Sequence, residues 1–287
     1  MTLPAGFTAG HWTDPVAKTG CTVILCEAGA TGAVHVGGGA VATIQTDIVG
    51  PASATALLHG VLLTGGSAFG LGAYSGVMRH LEAKGVGFAV REWRVPHVAG
   101  AVVFDLMIGD GTVRPDANAG QAACEAATDS PAEGLVGAGT GATAAKLGGS
   151  RVPGGLGIVS VRAGDATVTA IMVVNALGDI WDGERQEWAA RSSAQASPPA
   201  GANTTIGAIL TDAALDRHAA RRVAMVGHDG LARAIRPAHT DLDGDTLFVL
   251  AHGERTATTF ALQAAAADAV ERAIVRAVRL SGGTMTA

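Results

Sequence analysis

The residues with the most chemical promise are Asn203, Thr204 and Thr205, which stand where a proline-broken, small-residue stretch (SPPAGA) gives way to the apolar run TTIGAILTDA. A threonine hydroxyl is a weak nucleophile until a base sits beside it, and a freed α-amine on the same residue is one such base. Magnitudes favour that amine over a free lysine. It titrates near about 7.7 to 8.0 against about 10.4, so at neutral pH it is easier to keep unprotonated by roughly 3.5 kcal/mol. While the nitrogen is locked in the Asn203 amide it has no basicity. The expected sequence is therefore attack of Thr204 on the Asn203 carbonyl, hydrolysis of the resulting ester, and an N-terminal threonine ready for turnover. The same residues also suit an ordinary strand opening, where threonines are common. Asn203-Thr204-Thr205 further satisfies the glycosylation triplet, but the N-terminus shows neither the basic lead nor the apolar stretch of a secretory signal, which removes the required compartment.

The elements that must position this seam are legible in outline. The chain has 287 residues, with 41 glycines and only 4 % aromatics, so its core has to be built from small aliphatic side chains whose layers approach closely. Residues 21–27, 41–46, 56–65, 100–109, 155–161 and 166–175 read as strands, and 204–213 as another beginning at Thr204. Helices are expected at 68–85, at 117–130, over 212–227 with Asp212 as N-cap, and at 257–280, where apolar residues recur at three and four. Residues 183–202 lose all periodicity and read as an exposed linker ending at the seam.

Several function classes are disfavoured. A net charge of −5 with few aromatics lacks the basic stripe and stacking rings that nucleic acid requires. No apolar run reaches the roughly 18 to 20 residues of a spanning helix, so a cytoplasmic protein without a membrane partner is expected. Cys21, Cys26 and Cys124 follow no disulfide or zinc spacing and read as core. Asp241, Asp243 and Asp245 alternate like the opening of a calcium loop, yet Thr246 stands where glycine is needed and His252 where glutamate is needed. The alternative for this stretch is a tight Asp-Gly turn. Gly137, Gly139 and Ala142 match a dinucleotide fingerprint, but glycines return at Gly148 and Gly149 and no acidic residue follows at the right distance. No metal or cofactor is expected, and the partner is a small molecule.

Six ordered stretches together resemble a known family: LLTGGSAFGL (62–71), VVFDL (102–106), GTGATAAKLGG (139–149), VVN (173–175), GANTTIGAILTDA (201–213) and HTDLDGDTLFVL (239–250). They look like the self-cleaving hydrolases that comprise L-aminopeptidase/D-amino-acid esterases, β-peptidyl aminopeptidases and endo-type nylon-oligomer hydrolases. The resemblance spans about residues 20–280 and implies one α/β domain, a four-layer αββα sandwich with two sheets flanked by helices, of the type shared with ornithine acetyltransferases. It implies cleavage between Asn203 and Thr204 into chains 1–203 and 204–287, assembled as a homotetramer. It also implies a catalytic set of Thr204, Lys146, Asn175, Asp243 and Asp245. In that set Asn175 would donate to an oxyanion, and Lys146 would hold charge near the nucleophile. The aspartates would orient Lys146 or the Thr204 amine, or one would take the proton that starts self-cleavage. Gly65, Gly66 and Phe69 would line the substrate wall. The nylon-oligomer branch has tyrosine where this chain has Phe69, whereas the Asn-Thr pair departs from the Gly-Ser of aminopeptidase members. Lys146 as a solvated strand-end residue and Asn175 as a turn residue are the plainer alternatives, and His228 and His239 read as structural. The implied activity is hydrolysis of amide bonds in small peptides or amide oligomers. Acyl transfer to an amine, as in ornithine acetyltransferases, is the alternative; a dinucleotide-dependent oxidoreductase and an inactive scaffold stand behind it.

Overall fold

A computed structural model describes residues 1–55, 57–149, 151–192 and 203–282. Nine strands share one continuous hydrogen-bonded path: β1 (Thr8–Asp14), β2 (Thr19–Val36), β3 (Thr43–Ile44), β4 (Leu57–Thr64), β5 (Val98–Val102), β6 (Leu156–Ala163), β7 (Ala166–Asn175), β8 (Thr204–Ala213) and β9 (Thr246–Arg255). Their order is β6-β7-β8-β9-β2-β4-β5-β3, with β1 added on β2. Among the described residues, β8 with β9 and β4 with β5 are the parallel pairs of this path.

The path folds into two layers because β2 serves both. Its first half pairs with β1, and β9 pairs with residues 31–36 of its second half. Against β4 the register slips between Leu25 and Ala30, the irregularity that turns the strand from one layer into the other. Side-chain alternation then sorts the core. Ile24, Val61, Leu63 and Ala99 of one layer meet Ile171, Val173, Ile206, Ala208, Leu210 and Phe248 of the other. The opposite faces take helices. Val23, Leu25, Leu62 and Val98 pack under α1 (Tyr74–Ala83) and α2 (Ala117–Glu125). Met172, Val174, Ile209 and Val249 pack under α3 (Arg217–Ala234) and α4 (Thr259–Leu280). This is the αββα sandwich. Each fully buried aliphatic side chain in it contributes about 1.5 to 3 kcal/mol.

Four expectations are corrected. Helix α3 starts four residues later than expected, with Asp216 rather than Asp212 accepting at its N-cap, from Ala219 N at 2.7 Å. Strand β8 runs on through Ala213, and Asp212 instead accepts the Thr167 N–H across the sheet at 2.7 Å. The expected linker is ordered at its start: Glu187–Ala190 pairs with Asp179–Asp182, and Arg279 clamps Asp182 and Glu187 together. Its remainder, residues 193–202, lies outside the described residues. The expected strand at 100–109 stops at Val102, and that at 41–46 shrinks to Thr43–Ile44. Among the described residues no helix is long and apolar enough to cross a membrane.

Candidate active site

The seam sits at the mouth of the space between the layers. Thr204 opens β8 on the same face as Ile206, Ala208 and Leu210, so its side chain points into the inter-sheet side. Asn175 closes β7 with the parity of Ile171 and Val173 and stands directly opposite Thr204 in the antiparallel register. Paired positions bring Cβ atoms within about 4.5 to 5.5 Å, so hydroxyl and carboxamide are neighbours. Both residues are buried. The Thr204 hydroxyl donates to the Asn203 carbonyl oxygen, the group it would attack. That same oxygen accepts the Gly244 N–H at 2.9 Å.

Lys146 reaches this pair from the glycine-rich segment before β6. Its own N–H is fixed on the Leu177 carbonyl at 2.9 Å, and Ala145 before it adopts a left-handed backbone with φ 55. The ammonium donates to Asn175 Oδ1 at 2.8 Å and to the Asn175 carbonyl at 3.0 Å. Thr143 N also donates to Asn175 Oδ1, at 3.0 Å, and Asn175 Nδ2 donates to the Phe104 carbonyl at 3.2 Å. Burial pushes Lys146 down to about 7; the charge of Asp243 opposes this and that of Arg151 adds to it. The comparison drawn from free amino groups therefore narrows. A buried Lys146 and an N-terminal amine have similar basicity, and both can accept a proton near neutral pH.

The two aspartates take separate stations. Asp243 stands on the Lys146 side, in a parallel bridge with Asn203, and accepts from Thr240 and, at 3.4 Å, from Leu177 N. Burial, with the charge of Asp245 adding to it, raises its pKa. Asp245 accepts the Thr205 N–H at 2.8 Å through Oδ1, while its Oδ2 takes the His239 N–H at 3.0 Å and lies 2.8 Å from His239 Nδ1. It therefore holds the backbone just after Thr204. The turn carrying both aspartates lies on the segment Gly37–Ala40: Gly37 N donates to the Asp245 carbonyl and Ala40 N to the Asp243 carbonyl. A Cβ on Gly38 would come within 2.2 Å of the Asp243 carbonyl oxygen, so only glycine allows the approach.

Gly65 and Gly66 join the site through Asp105, whose buried carboxyl accepts Gly66 N and the Thr19 hydroxyl, each at 2.7 Å. A Cβ on Gly65 would strike that carboxyl at 2.1 Å, and Gly66 has φ 79. Since Phe104 receives Asn175 and Asp105 receives Gly66, two adjacent residues tie the oxyanion candidate to the glycine turn. Burial raises the Asp105 pKa against these hydrogen bonds. Phe69 is 60 % exposed, with the Arg114 guanidinium 3.9 Å above its ring.

Thus Thr204, Lys146, Asn175, Asp243 and Asp245 converge on one end of β7, β8 and β9, whereas Phe69 stands apart on the surface. Sequence reasoning missed Gly37–Ala40, Asp105 and His239. For Asp105 a signal existed, the aspartate inside VVFDL; the triple glycine at 37–39 is visible in the sequence, but the strand it follows is not. Among the described residues no group of His, Cys, Asp and Glu is arranged to hold a metal ion.

Comparison with known proteins agrees with this architecture. The family model described as Peptidase family S58 matches residues 5–287. An uncharacterized aminopeptidase of Mycobacterium tuberculosis is 41 % identical, covering 97 % of this chain and 93 % of its own. A 6-aminohexanoate-oligomer endohydrolase of Agromyces sp. is 33 % identical over 86 % of this chain and 72 % of its own. Among solved structures, the L-aminopeptidase D-Ala-esterase/amidase of Ochrobactrum anthropi, described as a variant of the Ntn hydrolase fold, superposes with a TM-score of 0.74 at 19 % identity, covering 98 % of this chain and 88 % of that one.

Proposed function

From the premise that this chain belongs to peptidase family S58, a family of amide-bond hydrolases, we propose that it cuts itself between Asn203 and Thr204 and then uses the freed Thr204 as its nucleophile. The single observation that carries this is the contact of the Thr204 hydroxyl with the Asn203 carbonyl while Gly244 N–H holds the same oxygen. Nucleophile, electrophile and an oxyanion donor are already together.

In self-cleavage, Thr204 Oγ1 adds to the Asn203 carbonyl carbon and gives up its proton. Negative charge on the former carbonyl oxygen is met by Gly244 N–H. Collapse breaks the C–N bond, the nitrogen takes a proton, and an ester joins Asn203 to Thr204 Oγ1. Water hydrolyses that ester to a carboxylate on Asn203 and a free hydroxyl and α-amine on Thr204. In turnover the amine takes the hydroxyl proton, or Lys146 shares that task. Oγ1 attacks the substrate amide carbon, the leaving amine departs protonated, and water releases the acyl group. Asn175 and Lys146 stabilise the charge that develops on the substrate oxygen.

The substrate class is amide bonds of small peptides or amide oligomers, supported by relatives named as an aminopeptidase and as a 6-aminohexanoate-oligomer endohydrolase. Processed units would assemble as a homotetramer; the exposed apolar hairpin bearing Phe88, Val90, Trp93 and Val95 supports such association. The test is Thr204→Ala assayed on aminoacyl p-nitroanilides and on 6-aminohexanoate oligomers. It should hydrolyse neither and remain one polypeptide, and retained turnover would overturn the assignment of the nucleophile.

A further inference from the structure

Behind the nucleophile, on the side of the layer that faces α3, three histidines line up with Asp245. His228 lies on α3, and its Nε2 is 3.1 Å from the His35 carbonyl oxygen. His228 Nδ1 is 3.3 Å from His239 Nε2, and His239 Nδ1 is 2.8 Å from Asp245 Oδ2. The protons of this row are fixed by what each end can do. A carbonyl only accepts, so His228 Nε2 carries hydrogen and its Nδ1 presents a lone pair. His239 Nε2 must then donate, and the His228 carbonyl 3.4 Å away requires the same. Asp245 accepts on both oxygens from backbone N–H groups of Thr205 and His239, the pattern of an ionised carboxylate. His239 Nδ1 therefore donates as well, and the ring is an imidazolium.

The backbone is shaped to keep it there. His239 has φ 59, a left-handed conformation that side chains other than glycine adopt uncommonly and that surrounding contacts must hold. It lets the N–H and Nδ1–H of one residue meet the same carboxylate oxygen. Gly37 leaves the necessary room: a Cβ there would lie 2.7 Å from His228 Nδ1 and 3.1 Å from His239 Nδ1.

The purpose of such a clamp follows from where β8 begins. Pairing between β8 and β9 starts only at Ile206 with Thr246. A single bridge, Asn203 with Asp243, stands ahead of it, and in the step between bridge and ladder the Thr205 N–H is taken by the Asp245 carboxylate. Resting on the proposal that Thr204 is the nucleophile, we infer that His239, backed by His228, is a positioning residue: it locks Asp245 as a two-sided carboxylate whose other oxygen pegs Thr205 N–H and so aims Thr204. The peg matters most after cleavage, when Thr204 has lost its covalent neighbour on one side.

The test combines a spectroscopic measurement with conservative rescue. In protein labelled with ring-15N histidine near neutral pH, His239 should show both nitrogens protonated, with the signal assigned by its loss in His239→Asn; a neutral His239 ring would overturn the inference. Self-cleavage and turnover should slow about tenfold or more in His239→Ala, the loss of one charged hydrogen bond. His239→Asn, which keeps a side-chain N–H donor, should recover most of that loss. Wild-type rates in His239→Ala, or equal losses in the alanine and asparagine variants, would refute the positioning role even with self-cleavage intact. If His239→Ala does not fold, the 15N measurement on the wild-type protein decides. A wild-type chain that never breaks would instead remove the Thr204 assignment, so the two failures are distinct.

Discussion

Replacing Lys146 by methionine should stabilise the fold while removing function, and the size of the effect can be worked out. The comparison is made in the Thr204→Ala background, so that both proteins stay unbroken. Burial takes Lys146 from an ordinary 10.5 to about 7, which at about 1.4 kcal/mol per pH unit sets an upper bound near 5 kcal/mol on what its charged form costs the folded state. The unfolded chain holds this proton up to the ordinary lysine value, and the folded chain releases it near 7. Stability of the Lys146 protein therefore rises with pH between about 7 and 10, where the unfolded state binds more protons, and the full cost is felt below about 7. Methionine nearly matches the volume and carries no charge. Against that gain, the Asn175 carbonyl and Oδ1 lose a donor, a loss of about 1 to 3 kcal/mol. Near pH 6 the Lys146→Met protein should be more stable by at most about 2 to 4 kcal/mol, and the advantage should vanish or reverse by about pH 10. Urea unfolding of the two proteins across this range gives the difference directly, and titrations common to both cancel. Parallel stability profiles would refute the claim that Lys146 is buried at the expense of its charge.

Three further outcomes are expected. Asn175→Ala should fold but lose about 10²- to 10³-fold in kcat on an amide substrate, whereas wild-type turnover would remove its oxyanion role. In Gly244→Ala the new Cβ would fall 2.6 Å from the Ala40 carbonyl oxygen and 2.9 Å from Thr204 Oγ1, so a time course of the intact chain should show slowed self-cleavage; an unchanged half-time contradicts the Gly244 oxyanion contact. Phe69→Ala should raise KM and leave self-cleavage untouched, and steady-state kinetics with equal KM would deny this exposed ring a part in substrate binding.

How far the sequence went depended on whether a residue's environment was local. Strands β7 and β8 are mostly β-branched or apolar, and their ends at Asn175 and Thr204 could be read directly. Strand β2 could not: only residues 21–27 have that composition, while its Ala- and Gly-rich second half becomes a strand through pairing with β9. Asp212 and Asp216 are equally good N-caps on paper, and the choice between them is made by the continued pairing of β8 with β7 and β9. The site residues were legible through resemblance, but their geometry was not. Lys146 reads like any lysine until burial lowers its pKa, and His239 reads as structural until a carboxylate 2.8 Å away makes it part of a clamp. The triple glycine at 37–39 gains meaning only when the turn at 240–245 lies on it.

The account stands most directly on the covalent state of freshly purified, active protein, measured as intact mass together with the identity of any new N-terminal residue. It predicts chains 1–203 and 204–287, the second beginning with an unblocked Thr204. Hydrolytically active material consisting of a single 28.5 kDa polypeptide would contradict it.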